Sequence, residues 1–174
     1  ATWICGEYAE HLTEPFKTMD AMLKSKVTNL PGHIQSVFVQ NIFKLYVHIL
    51  SKVFEASNEN EINENGDEEE NSEFRLSQEG LDECKRITKY LTEKMQIFEQ
   101  SADIEVQERA CSILQILKYV QKIFDKQTES PELSDQRIDI ELKFLFDGEL
   151  NPVAPKAQKK VPIPDGLDLD EWIN

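Results

Sequence analysis

The side chains that most often carry catalysis or bind metals are few in this sequence and lie far apart. The three histidines, His11, His33 and His48, are not arranged with cysteines or carboxylates in a metal-ligand pattern, and neither C-x-x-C nor H-E-x-x-H occurs. The six glycines are isolated, so the sequence has no glycine-rich phosphate loop. We therefore expect a protein that is not an enzyme and that holds no metal and no cofactor.

The three cysteines, Cys5, Cys84 and Cys111, are odd in number and widely separated. Such spacing favours reduced thiols on buried helix faces of a cytoplasmic protein over a disulfide framework. The first residues lack an initiator Met and the basic, apolar and small-residue pattern of a signal peptide. We expect them to belong to the middle of an element in a longer polypeptide.

Acidic side chains dominate the charge, at 33 against 19 basic ones, for a formal net charge of −14. A surface that binds nucleic acid needs clustered Lys and Arg, so nucleic acid is excluded as a partner. Eight of the acids fall between Ala56 and Glu73; without that stretch 25 acidic and 19 basic side chains remain, a net charge of −6. The stretch lacks the ligand spacing of a calcium loop. We predict a solvated, disordered loop over residues 56–75.

The C-terminal segment carries the strongest binding pattern. Four prolines between residues 152 and 164 favour an extended chain over residues 149–165. Large apolar side chains then alternate with acids, as in linear motifs that enter a partner's groove; the candidates are Leu167, Asp168, Leu169, Trp172 and Ile173, with Leu150 and Val153 as secondary contacts. The pattern equally allows these residues to fold back onto the protein's own helices. A small basic group, Lys156, Lys159 and Lys160, favours a solvated linker over a lipid contact.

Helical periodicity indicates the elements that precede this segment. Apolar residues at helical spacing run from Leu81 to Phe98 and from Ile104 to Phe124, with Ser77 as the cap of the first run and with Ser101 and Asp103 opening the second. Because the turn between these two runs is short, we expect an antiparallel helix pair. The hairpin is one of several amphipathic units in the chain.

Further helices are predicted upstream and downstream of that pair, over residues 1–11, 15–23 and 32–55. The apolar run Ile34 to Phe54 is interrupted by polar residues and falls short of a membrane span. Residues 138–144 alternate like a strand, but with no other strand to pair with we predict a last helix. Repeated helix pairs that are apolar on more than one side favour an all-α solenoid of HEAT or armadillo type over a compact bundle.

Several strings resemble the adaptins, the large subunits of vesicle-coat adaptor complexes. Residues 3–8, W-I-C-G-E-Y, are similar to the adaptin W-x-x-G-E-Y helix. Residues 30–41 and 101–110 resemble the delta branch of the family, and so does the stretch 148–174, which is similar to the junction of its trunk and hinge. The resemblance covers the chain except for residues 56–75.

This resemblance implies a trunk solenoid over residues 1–147, forming the C-terminal part of the trunk, and an extended hinge over residues 148–174. Delta-type adaptins belong to adaptor protein complex 3, which sorts cargo from endosomal or Golgi membranes toward lysosomes and is cytoplasmic and peripheral on those membranes. The implied partners are a beta-adaptin, a medium and a small subunit, an ARF-family GTPase bound through parts absent here, and the longin domain of a vesicle SNARE.

The SNARE site carried over from the family runs from about Leu150 to Ile173. We expect the anchors there to be Leu167, Leu169, Trp172 and Ile173. The alternative is a purely structural end of a solenoid that braces other subunits, with its tail folded back as a cap.

Overall fold

A computed structural model describes residues 1–65, 76–129, 137–146 and 148. Within these ranges every regular element is helical, as predicted. The helices are α1 Thr2–Glu7, α2 Pro15–Met22, α3 Gly32–Asn65, α4 Gln78–Glu99, α5 Ile104–Glu129 and α6 Ile138–Lys143, with 3₁₀ turns at Ala9–His11, Ser25–Asn29 and Phe144–Phe146.

Helix α3 is the central element of the fold. Its sequence is apolar around most of its circumference, and a helix of that kind must be covered on several sides. Helices α1, α2, α4, α5 and α6 all pack against it, and Ile42, Leu45, Leu50 and Phe54 are completely buried. Contrary to the sequence expectation, residues Gly32–Ser57 are long and apolar enough to cross a bilayer, and 56% of that apolar window is buried inside the protein.

Helices α4 and α5 form the predicted antiparallel hairpin. The apolar run from Leu81 to Phe98 is buried along α4 and packs on the inner face of α5. At one end Lys85 Nζ lies 3.4 Å from Asp125 Oδ1. At the other, Gln107 Nε2 donates to the Glu99 carbonyl oxygen at 3.1 Å. The two ends therefore hold the pair in register, while the apolar faces supply the burial that stabilises it.

Polar contacts place this hairpin on α3. Tyr46 Oη and Thr88 Oγ1 lie 2.8 Å apart in the core, and Arg109 Nη1 donates to the Ser36 carbonyl oxygen at 3.1 Å. Helix α4 therefore runs antiparallel to α3, and α5 runs parallel to it. Stacked antiparallel helices of this kind form the HEAT- or armadillo-like α-solenoid that the periodicity favours.

One predicted boundary is wrong. Helix α3 does not end near Glu55 but continues to Asn65, so the first ten residues of the predicted disordered loop, 56–65, are helical. The acidic residues there are good helix formers, and the first glycine after Gly32 is Gly66. Ser57 also holds the extension, because its hydroxyl donates to the Val53 carbonyl oxygen at 3.0 Å and lies 3.2 Å from Ser77 Oγ. Residues 66–75 lie outside the described part of the chain.

Some apolar side chains predicted to face inward are exposed. Ile104 is 78% exposed at the start of α5, because it lies two residues before the fully buried Val106 and therefore on the opposite side of the helix. Trp3, Ile4 and Tyr8 on and after α1 are about half exposed, because only the Gly6 side of this short helix meets α3. Helical rather than strand structure at residues 138–143 is confirmed, and Ile138 and Leu142 are buried there.

Asp103 caps α5, and its removal should destabilise the fold. Its Oδ1 accepts from the backbone N–H groups of Glu105 at 3.1 Å and Val106 at 3.2 Å. Replacing Asp103 with alanine leaves those donors unpaired and should lower the free energy of unfolding by about 1 kcal/mol. For a chain of this size the melting temperature should fall by roughly 2–4 °C, as measured by circular dichroism. Asp103→Ser, which can still accept, should recover most of the loss; an unchanged alanine variant would refute the cap.

Candidate binding cleft

The seven residues singled out from the sequence as a binding site lie outside the described part of the chain. They are Leu150, Val153, Leu167, Asp168, Leu169, Trp172 and Ile173. The basic group at Lys156, Lys159 and Lys160 lies outside it as well. What the structure does describe is the surface from which that segment departs, since Phe146 and Gly148 are both placed.

A cleft opens beside this point of departure. Three helices form it: α1 with its following 3₁₀ turn on one side, α3 as the floor, and α6 with its own 3₁₀ turn on the other side. Its volume is about 640 Å³, within the range of roughly 300–1,000 Å³ typical of ligand clefts. The residues that line it and that matter below are Glu7, Lys44, His48, Ile140, Lys143 and Phe144.

A buried ionic contact fixes the closed end of the cleft. Lys44 Nζ on α3 donates to Glu7 Oε1 on α1, and both side chains are mostly buried. The same ammonium group lies 5.5 Å from the centre of the Phe146 ring, and that ring packs edge-on against Phe43. The Lys44 ammonium group thus interacts with both the Glu7 carboxylate and the face of the Phe146 ring. This arrangement ties α1, α3 and the end of α6 together.

Helix α6 is held in place by a second charged group. Asp139 is buried, and its two carboxylate oxygens accept from Arg137 Nε and Nη2, each at 2.8 Å. The guanidinium group of Arg137 lies 5.5 Å from the centre of the Phe54 ring on α3. A bidentate pair stacked on an aromatic ring has one favoured geometry. It therefore sets the angle at which α6 forms the wall of the cleft.

The open side of the cleft is apolar and carries a free cation. Phe144 is 68% exposed and Ile140 is 43% exposed, side by side on the α6 wall. Lys143 lies between them and is exposed, without an ion-pair partner among the described residues. Burial, together with the positive charges of Lys52 and Lys143, lowers the pKa of His48 on the floor. His48 is therefore neutral near pH 7. Glu10 and Glu55 also line the cleft, and Lys143 is the cation next to the exposed Phe144 in the sequence.

A second groove lies between α2, α3 and α4, and it is partly filled by its own side chains. Arg86 lies over the Phe16 ring at 5.3 Å and donates to both oxygens of Glu83, which lowers the pKa of that carboxyl. Tyr90 donates to Asp20, and this hydrogen bond raises the pKa of the Tyr90 hydroxyl to about 12. The groove has a volume of about 1070 Å³; Arg86 and Glu83 line it and are paired with each other, while Asp20 and Tyr90 lie outside its lining.

The described residues bring no catalytic group together. All three cysteines are free thiols, and burial raises the pKa of the Cys84 thiol to about 12, so that it is protonated at neutral pH. Within the described ranges no three His, Cys, Asp or Glu side chains lie close enough to share a metal ion.

Sequence reasoning missed the cleft. Its two walls are 130 residues or more apart along the chain, and neither wall contains a motif that points to the other. One signal was present: the strand-like alternation at residues 138–144 places Ile140 and Phe144 off the buried face of a helix. Apolar residues on the outer side of a helix indicate a surface that something else covers.

Comparison with known proteins supports an assignment to one family. Residues 1–121 match the family described as the adaptin N terminal region. The chain is 49% identical over 174 residues to AP-3 complex subunit delta-1 of Bos taurus and 40% identical over 188 residues to AP-3 complex subunit delta of Dictyostelium discoideum. Both alignments cover all of this chain but only 12% and 14% of the relatives' length. The delta subunit of Arabidopsis thaliana is 26% identical over 184 residues, covering 98% of this chain and 20% of that relative.

Proposed function

The chain belongs to the adaptin family, and on that basis we propose that it is a scaffold segment of an adaptor complex of the AP-3 type. The observation that carries this proposal is the identity of 49% with a delta subunit across all 174 residues, including the 53 that follow the family match. The scaffold has no catalytic task.

We further propose that residues 1–147 are the C-terminal end of the trunk and that residues 148–174 begin the hinge. The solenoid would brace a beta-adaptin and the medium and small subunits, while an ARF-family GTPase acts through other parts of the polypeptide. The complex would be cytoplasmic and peripheral on endosomal and Golgi membranes, where it sorts proteins toward lysosomes. In support, the exposed apolar residues of α1 and α5 are surfaces that a larger assembly covers.

The hinge is proposed to capture the longin domain of a vesicle SNARE. Its apolar anchors alternate with acids, which keep a free peptide soluble while leaving the anchors available to a groove. Each large anchor contributes roughly 1.5–3 kcal/mol when buried, before the cost of ordering the chain.

Removing two anchors should abolish SNARE capture. We expect a Leu169→Ser, Trp172→Ala double variant of the full chain to bind a longin domain at least about 100-fold more weakly, because the loss of roughly 3 kcal/mol or more corresponds to that factor. Affinity is measured by calorimetry, and circular dichroism should show unchanged helical content.

The matched control is Val161→Ser with Ile163→Ser, which removes two apolar side chains from the same segment outside the anchor set. This control should retain its affinity. Equal affinity of the anchor variant and the unmodified chain would overturn the SNARE proposal and leave only the scaffold proposal. Equal loss in both double variants would show that the anchors are wrongly chosen.

A further inference from the structure

We propose that the cleft between α1, α3 and α6 is a docking site for the chain's own residues 166–174, and that this docking competes with SNARE capture. The docking itself rests only on the cleft and on the chemistry of the segment. The competition rests also on the proposed function. The α6 side forms the wall of the cleft on which large apolar side chains are exposed.

That wall exposes large apolar side chains next to one another. Phe144 and Ile140 are 68% and 43% exposed, and both line the cleft. Val47 and Ala9 also line the cleft but are themselves buried, so Phe144 and Ile140 supply its exposed apolar surface. Large apolar side chains exposed in a cleft are a common feature of contact sites. The cleft therefore favours an occupant with large apolar side chains.

The segment that follows the cleft has the matching chemistry. Residues 166–174 contain four large apolar side chains, Leu167, Leu169, Trp172 and Ile173, and three acids, Asp168, Asp170 and Glu171. Lys143, exposed between Ile140 and Phe144, is the cation such acids can reach while the apolar side chains cover the wall. No basic residue occurs among residues 161–174, so nothing in the segment repels Lys143.

Connectivity favours this segment over a partner in solution. Phe146 lines the cleft, and Gly148 follows it directly on the surface. Eighteen residues separate Gly148 from Leu167; at about 3 Å per residue an extended chain of that length reaches further than the roughly 50 Å of α3. A tether of this size gives an effective concentration on the order of millimolar. Docking therefore needs only a weak intrinsic affinity to be well populated.

Competition follows from the shared anchors. The same apolar side chains cannot cover the cleft and enter a SNARE groove together. If the segment is docked in most molecules, the apparent association constant for the SNARE equals the intrinsic constant multiplied by the undocked fraction. A variant that prevents docking should accordingly bind the SNARE more tightly, by about 3-fold to 10-fold for a segment that is docked roughly 70–90% of the time.

Trp172 is a direct probe of docking. The chain has two tryptophans; replacing Trp3, which is about half exposed and does not line the cleft, with phenylalanine leaves Trp172 as the single tryptophan. We compare this full chain with a free peptide of residues 166–174. In the full chain we expect the fluorescence of Trp172 to be blue-shifted and to be quenched less by acrylamide. Phe144→Asp, at an exposed position, should shift the emission wavelength and the acrylamide quenching to the values of the free peptide. Lys143→Glu should shift them part of the way. The matched control Lys118→Glu, at an exposed position on α5, should leave them unchanged.

Each outcome decides one part. If the Trp3→Phe chain, with no substitution in the cleft, shows the same Trp172 emission as the free peptide, the docking proposal is overturned. Protection that disappears on dilution shows that a second copy, not the same chain, fills the cleft, and also overturns the proposal. Protection of Trp172 with unchanged SNARE affinity in Phe144→Asp supports docking and refutes competition. Protection with no SNARE binding in any variant supports docking while the proposed SNARE function fails.

Discussion

Replacing Phe54 with alanine should lower the free energy of unfolding by about 3–5 kcal/mol, the range typical of truncating a phenylalanine in a protein core. Phe54 is completely buried on α3, and Arg137 stacks on its ring. Its removal takes apolar area out of the core, leaves a cavity, and takes away the surface on which the Arg137–Asp139 pair rests. The loss is measured by chemical denaturation followed by circular dichroism.

The structure also predicts where the damage is concentrated. Hydrogen exchange should accelerate first in α6, because its docking on α3 depends on the Phe54 ring. Phe54→Leu keeps most of the volume and should cost less than half as much. Tyr119→Ala, which truncates an aromatic ring exposed on α5, should stay within about 0.5 kcal/mol. A loss below about 1 kcal/mol for Phe54→Ala would show that the packing around this ring is wrongly described.

Gly6→Ala should be the second large effect, with a loss of about 1–3 kcal/mol from overpacking. A Cβ atom at this position would lie 2.0 Å from Asn41 Oδ1, far inside van der Waals contact. Asn41 is buried, and its Nδ2 donates to the Val37 carbonyl oxygen at 2.8 Å, so it has little room to retreat. The shift should propagate to the next residue, Glu7, and to its contact with Lys44.

A double-variant cycle tests this close approach. If the clash with Asn41 is the cause, Gly6→Ala in an Asn41→Ala background should cost much less than in the unmodified chain, with a coupling of roughly 1–2 kcal/mol measured by chemical denaturation. Additive losses would contradict the contact. Gly80→Ala is the comparison at another helical glycine, where the nearest atom is the flexible Ser57 hydroxyl at 2.5 Å; this hydroxyl can rotate away, so a smaller loss is expected.

These contacts explain the W-x-x-G-E-Y string in physical terms. Gly6 allows α1 to approach α3 closely, and Glu7 makes the buried ion pair with Lys44. Trp3 and Tyr8 do neither, since they remain about half exposed and pack edge-to-face on each other. One half of the string therefore docks the helix, and the other half presents aromatic surface outward.

Helix type and inner faces were predictable because they depend on local spacing. The buried run of α4 and the cap at Ser77, whose Oγ accepts from the Gly80 N–H at 3.1 Å, are as expected from periodicity and capping. The end of α3 was not, because charge suggested solvation while the lack of a helix breaker and the Ser57–Ser77 contact favour continued helix. Ile104 was misplaced for a different reason: it is two residues from the buried Val106, a spacing that puts it on the other side of the helix.

The sequence by itself determined the all-α class, the helix pairs and the family, because amphipathic spacing and short motifs are properties of neighbouring residues. Only the tertiary structure decided that Glu7 meets Lys44, that Arg137 rests on Phe54, and that a cleft remains open where the C-terminal segment leaves. Those features arise from how helices far apart in the chain fill space around α3. Close packing admits few arrangements, but the choice among them depends on all the side chains together.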